Sequence, residues 1–158
     1  MVGARPSIAA PTMSHSIETS STTLELPGEL RERLEQWARL RYPLEACGLL
    51  LGRRVERRTE VMEVCEGRNL DATRARDRYE LDPADQVAAE DAARARGLDV
   101  VGVWHSHPDH PARPSSTDRM HAWSGWSYVI VAVDVHAAYE LRAWRLERQR
   151  FVEEEVLP

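Results

Sequence analysis

The chain has 158 residues, of which 42% are apolar, and this suffices for one domain with a buried core. Its net charge of -5 argues against a nucleic-acid-binding surface as the main function. No apolar run approaches the length of a membrane span. All 21 basic residues are arginines, so no side chain of this protein can itself accept an isopeptide-linked modifier.

The first 22 residues are rich in Ser, Thr, Ala and Pro, and they lack the long apolar centre of a signal peptide. We therefore expect a disordered tail over residues 1–22, one domain over residues 23–158, and a cytoplasmic protein. Both cysteines, Cys47 and Cys65, fall within predicted strands. Buried free thiols are expected there, and a disulfide between them is the alternative.

The predicted elements alternate between strands and helices, which indicates a mixed α/β sheet with helical cover. Apolar runs and period-two patterns predict strands at residues 24–26, 46–51, 59–65, 78–81, 100–104, 127–134, 139–146 and 151–156. Apolar spacing and capping residues predict helices over residues 29–41, from the Asp82 N-cap to Gly97, and from Ser115 or Ser116 to Gly125.

Two segments between these elements carry separate expectations. Residues 67–76 have no clean periodicity and predict a loop near the functional site. Residues 53–58 contain four arginines between two strands. This cluster is most simply the solvated tip of a hairpin, with a docking patch for an acidic partner as the alternative.

One motif concentrates the chemistry of the chain. The apolar run Val100 to Trp104 leads directly into His105-Ser106-His107-Pro108. Side chains two apart on a strand share a face, so His105 and His107 are directed at one point. Asp118, at the start of a predicted helix, could supply a carboxylate to the same point. Two histidines and one acid leave a coordination position open, which is typical of catalytic rather than structural zinc.

The motif continues for a further seven residues to Ser115 and then to Asp118, and this spacing resembles the signature of the JAMM (MPN+) zinc metallopeptidases, in particular the short stand-alone bacterial members. In that family a glutamate near the first buried strand acts as general base, and Glu45 stands at the matching position in the segment Tyr42 to Gly52. The resemblance covers nearly everything from about residue 24 onward. It implies a deaminase-like α/β sandwich with a zinc site at the edge of the sheet.

The resemblance also implies an activity: zinc-dependent hydrolysis of a peptide or isopeptide bond. One Zn²⁺ per chain would be held by His105, His107 and Asp118. Glu45 would pass a proton from water to the leaving amine, and Ser115 would donate a hydrogen bond to the oxyanion. From the residues alone, an exposed loop glutamate and a plain helix N-cap remain alternative interpretations of Glu45 and Ser115.

The substrate follows from the resemblance only. Stand-alone relatives of this size are associated with ubiquitin-like sulphur-carrier proteins, so cleavage at the C-terminal Gly-Gly tail of such a carrier is expected, with no nucleic-acid or membrane partner and with a homodimer left open. The alternatives are a non-catalytic MPN-type scaffold and a peptidase that acts on cell-wall or phage-tail peptides. The complete ligand set argues against the scaffold, and the lack of a signal peptide argues against the wall peptidase.

A competing motif overlaps the first. Residues 105–110 also spell the His-x-His-x-Asp-His pattern of the metallo-β-lactamase fold. That fold needs two further histidines and an acid from distant strands, and too few residues follow His110 to supply them. We therefore expect Asp109 and His110 to be loop residues or substrate contacts.

Overall fold

The computed structural model describes residues 21–158, which form seven strands and three helices. The strands are β1 (Thr23–Glu25), β2 (Cys47–Val55), β3 (Arg58–Gly67), β4 (Asp99–Pro108), β5 (Ser127–Val133), β6 (Ala138–Glu147) and β7 (Arg150–Leu157). The helices are α1 (Gly28–Arg41), α2 (Pro83–Ala95) and α3 (Ser116–His121). Within this part of the chain, no helix combines the length and the apolar character that a membrane crossing requires.

The predicted tail over residues 1–22 lies outside the described residues, except for its last two. Thr22 is buried, and its backbone carbonyl accepts a hydrogen bond from the Glu155 N–H. Within the described chain, Thr22 therefore already contacts the sheet.

One predicted strand is absent, and one predicted helix is shorter than expected. Residues 78–81 form no strand; the segment makes one bridge to Asn69, whose side-chain amide bonds the backbone of Arg78 and Glu80 in place of a neighbouring strand. Helix α3 ends at His121 and not at Gly125. The N–H groups beyond its end have other partners, since Trp123 donates to the Tyr128 hydroxyl.

The strands close into a barrel in the order β1-β3-β2-β4-β5-β6-β7, because β1 pairs in parallel with both β3 and β7. The only other parallel pair in the described sheet is β4 with β5, which α3 connects. The expected mixed α/β sheet with helical cover is thus confirmed. The finer expectation of a deaminase-like sandwich with a zinc site at the sheet edge stays a prediction. The paired histidines lie at the carboxyl end of β4.

Both faces of the central strands are buried. One face of β2, β4 and β5 packs with α1 through Leu34, Leu50 and Val129, whereas the opposite face packs with α2 through Leu49 and Ala93. The near-continuous apolar runs of these strands reflect this two-sided cover. A one-residue irregularity between Leu50 and Leu51, where β2 pairs with β4, interrupts the regular alternation of faces.

Trp104 anchors β4 on the α1 face, one residue before the histidine motif. It is fully buried, it stacks on Trp37 with ring centroids 5.6 Å apart, and its indole N–H donates to the Cys65 carbonyl over 2.9 Å. Gly48 on β2 makes room for this contact: a Cβ there would lie 1.9 Å from the Cys65 oxygen and 2.4 Å from the indole nitrogen. No side chain fits at that position without moving the strand.

Both cysteines are free, as expected. Cys47 is buried at the start of β2, and burial raises the pKa of its thiol to about 12. Cys65 is half-buried on β3, and burial raises its pKa as well. Since the thiolate is the reactive form, neither sulfur is poised as a nucleophile.

The close contact at Gly48 predicts a specific loss of stability. We expect Gly48→Ala to lower the free energy of unfolding by about 1–3 kcal/mol, because the added methyl group overpacks the space between β3 and Trp104. The matched control is Gly28→Ala, because a Cβ at Gly28 meets nothing within 4 Å. Chemical denaturation of both variants measures the difference, and equal stabilities would contradict the packing argument.

Candidate active site

The antiparallel pairing of β2 with β4 brings Glu45 to the histidine motif. Cys47 lies opposite His105, so the same register, continued, sets Glu45 opposite His107. Ser106 is buried between the two histidines and continues the pairing of β2 with β4. Its hydroxyl accepts a hydrogen bond from the Ala46 N–H over 2.8 Å, and its backbone N–H donates to the Ala46 carbonyl over 2.9 Å. The residue beside Glu45 is therefore held by two hydrogen bonds to the motif.

Three potential ligand residues converge beside these strands. The Nε2 atoms of His105 and His107 lie 3.1 Å apart. One oxygen of Asp118 lies 3.3 Å from the first nitrogen, and its other oxygen lies 3.3 Å from the second. Both histidines are buried, and this triad is one of two groups among the described residues that could hold a metal ion.

The N-terminus of α3 orients the Asp118 carboxylate. The Ser115 hydroxyl accepts from the Asp118 N–H over 3.0 Å, and the Asp118 carboxylate accepts from the Ser115 N–H over 2.7 Å, which is a reciprocal capping box. Burial alone would raise the pKa of Asp118, but the neighbouring imidazoles and the Ser115 N–H hold it well below its usual range. The group is therefore a carboxylate at neutral pH.

The two histidines have different surroundings. His107 Nδ1 lies 2.8 Å from the Pro111 carbonyl, which can only accept, so this nitrogen carries the proton and Nε2 carries a lone pair. His105 is covered by the ring of Tyr79, with centroids 4.6 Å apart. Its Nδ1 is buried and has no hydrogen-bond partner among the described residues.

Glu45 is buried, and its backbone is held by the loop after β3. Its N–H donates to the Ala75 carbonyl over 2.6 Å, and its carbonyl accepts from the Asn69 side-chain amide over 3.2 Å. The predicted loop near the site thus exists and fixes this segment. Burial raises the pKa of Glu45 to about 8, and the nearby Asp118 carboxylate acts in the same direction.

A cavity of about 440 Å³ opens beside Asp118, on the same face of the sheet as the histidines. Its floor is apolar and includes Leu49 and Val103, and Trp123 and Trp126 stack on each other in its wall. Three acidic side chains, Asp71, Asp77 and Glu80, line it as well. A cavity of this size and lining suits part of an extended chain or a small molecule.

The residues of the competing motif are not equivalent. Asp109 is exposed, and both of its carboxylate oxygens lie 3.0 Å from the Tyr42 hydroxyl, which donates to them. His110 is half-buried and stacks on His107 with centroids 4.2 Å apart. Asp109 belongs to neither of the two potential metal-binding groups, which agrees with the rejection of the metallo-β-lactamase pattern.

Sequence reasoning did not single out three residues that shape the site. The position of Ser106 between the two histidines could have indicated its role. Almost nothing in the sequence indicates the roles of Asn69 and Tyr79, because these depend on a loop that returns to the strand ends from a distant part of the chain. Only the folded loop reveals that one amide organises it.

Comparison with known proteins agrees with this geometry. Residues 27–147 match the family described as prokaryotic homologs of the JAB domain. The chain is 36% identical to a desampylase from Haloferax volcanii over 124 residues, which are 73% of this chain and 84% of that protein. It is 31% identical to a Thermus thermophilus protein named "Probable TtuB-protein conjugate cleaving protease", over 75% of this chain and 76% of that protein.

A solved structure shows the same fold. The solution structure of a protein from Desulfitobacterium hafniense is 31% identical and superimposes with a TM-score of 0.75, covering 85% of this chain and 92% of that one. The match to the family model extends from the turn before α1 to the end of β6, and it includes every residue of the converging triad. The chain therefore belongs to the family of prokaryotic JAB-domain homologues and is a hydrolase of the JAMM type.

Proposed function

We propose that this protein is a zinc-dependent isopeptidase that cleaves after the C-terminal Gly-Gly tail of a ubiquitin-like sulphur-carrier protein. The observation that carries the proposal is the convergence of His105, His107 and Asp118 next to a buried glutamate. In this proposal the three converging residues hold one Zn²⁺ per chain, Glu45 is the general base, and Ser115 stabilises the oxyanion.

The donor atoms of the triad fit a single zinc ion. Ligand atoms about 2.0–2.1 Å from a tetrahedral ion lie roughly 3.3–3.4 Å from one another. The two Nε2 atoms lie 3.1 Å apart, and each lies 3.3 Å from a different oxygen of the Asp118 carboxylate, so all three separations are close to that value. Two imidazoles and one carboxylate are also a ligand set that zinc accepts, and they leave a fourth position for a reactant.

The roles of the remaining residues follow from their chemistry. When bound, Zn²⁺ supplies a Lewis acid that polarises the scissile carbonyl and makes water acidic enough to react near neutral pH. Glu45, whose pKa of about 8 lies near the working range, would accept the proton of the attacking water and release it to the leaving amine. The Ser115 oxygen already accepts from the Asp118 N–H, so its own proton is free to be donated to the oxyanion.

The proposed substrate rests on the relatives and on the shape of the site. The Thermus thermophilus relative is named for cleaving a protein conjugate, which supports a conjugate as the substrate class. The cavity has an apolar floor and acidic side chains in its lining, and it borders the converging ligands at Asp118. A Gly-Gly tail has no side chains, so its backbone can approach the catalytic groups more closely than that of a bulkier sequence.

If Asp118 is a zinc ligand, removing its charge should weaken zinc binding. We expect Asp118→Asn to weaken zinc binding by about tenfold or more, because it removes the only anionic ligand while keeping the oxygen that caps α3. Asp109→Asn is the matched control, since that carboxylate contacts Tyr42. Competition with a chromophoric chelator measures both affinities, and an unchanged affinity in Asp118→Asn would rule out this ligand.

The general base predicts a loss of turnover without a loss of metal. We expect Glu45→Gln to lower kcat by about 10²–10⁴-fold on a carrier protein extended past Gly-Gly, because the amide cannot accept the proton. Zinc content should stay at one per chain. Glu56→Gln, at the exposed hairpin tip, serves as the control and should keep full activity. Retained turnover in Glu45→Gln would disprove the role of Glu45.

If Ser115 donates to the oxyanion, turnover should depend on its hydroxyl group. We expect Ser115→Ala to lower kcat by about 10²–10³-fold, whereas Ser115→Thr, which keeps both the hydroxyl and the helix cap, retains most activity. Zinc content measured alongside separates this effect from displacement of Asp118. If Ser115→Ala loses zinc in proportion to activity, the hydroxyl acts only as a helix cap.

A further inference from the structure

A second group of Lewis bases lies beside the triad and shares one residue with it. Glu45, His107 and His110 each offer a ligand atom, and these atoms lie within 4.8 Å of one another. His107 Nε2 already faces His105 and Asp118. The group therefore leaves Glu45 and His110 as two further Lewis bases within 4.8 Å of each other beside the triad.

The lone pair of His110 can be assigned from its neighbours. Its Nδ1 lies 2.6 Å from the Pro108 carbonyl, which can only accept, so Nδ1 carries the proton of the neutral ring and Nε2 is left basic. Stacking on His107 holds the ring in place. The unprotonated Nε2 is thus the ring nitrogen with a lone pair to offer a metal ion.

The Glu45 carboxylate is the second base. The residue is 4% exposed, and its carboxylate offers a ligand atom within 4.8 Å of one on His110. A carboxylate and an imidazole nitrogen this close together have a cation as their natural complement.

We propose that Glu45 and His110 bind a second divalent metal ion such as Zn²⁺, and that this ion inhibits hydrolysis. The inhibitory effect rests on the proposed function, because an ion on Glu45 blocks the group that accepts the proton from water. With only two protein ligands, this site fills after the triad and only at excess metal. Mixed nitrogen and oxygen donors favour zinc over magnesium or calcium.

The proposal differs from the two-metal arrangement that the His-x-His-x-Asp-His motif denotes. That arrangement would require the carboxylate of Asp109 in the site, but this group accepts from the Tyr42 hydroxyl. Asp109→Asn should accordingly leave the second ion in place.

The test counts metal directly and then relates the count to activity. Equilibrium dialysis against excess buffered zinc should give two ions per wild-type chain and one per His110→Gln chain. His136→Gln, the same change at an exposed turn, should keep two. The retained first ion in His110→Gln shows that the variant is folded. One ion in the wild type, or two in His110→Gln, would overturn the second site.

Activity assays complete the test. Excess zinc should inhibit the wild type and His136→Gln at the same concentration, whereas half-inhibition of His110→Gln should need about tenfold more zinc. Equal inhibition of all three proteins would overturn the inhibitory role. If no protein cleaves a carrier conjugate at one zinc per chain, the proposed function fails, and the ion count alone still decides whether the second site exists.

Discussion

The antiparallel pairing of β2 with β4 is the constraint on which the site depends. Its register brings Glu45, which precedes one strand, to His107, near the end of the other. Two hydrogen bonds between Ala46 and Ser106 extend the pairing to the point where the reactive side chains begin. A shift by one residue would turn the histidines away from Asp118 and into the α1 core.

The core and the chemistry lie on opposite faces of the same strand. Trp104 enters the α1 face, while His105 and His107 are on the α2 face beside the cavity. The strand can therefore be packed tightly on one side while the other side presents ligand atoms. Rigid support of this kind lowers the cost of organising the ligands when a metal binds. Gly48 contributes to this packing, because its lack of a side chain leaves room for the Trp104 indole.

Much of this arrangement could be predicted because it depends on local patterns. The period of a strand directs His105 and His107 to one side, and the Ser115 cap predicts where α3 begins. The closure of the barrel by β1 and the irregularity near Leu51 could not, because both depend on contacts between segments far apart in the chain. The same reason explains why Asn69 escaped notice and why residues 78–81 were mistaken for a strand.

The reciprocal cap between Ser115 and Asp118 gives one carboxylate two tasks, since it closes the first turn of α3 and also faces the two imidazoles. The spacing from His107 to Ser115 is consequently under a double constraint. A substitution at an exposed position of that loop leaves the spacing intact, but an insertion or deletion within it would displace a helix start and a ligand together. Length variation should accumulate instead at places such as the β2–β3 hairpin tip, where the exposed backbone carries neither task.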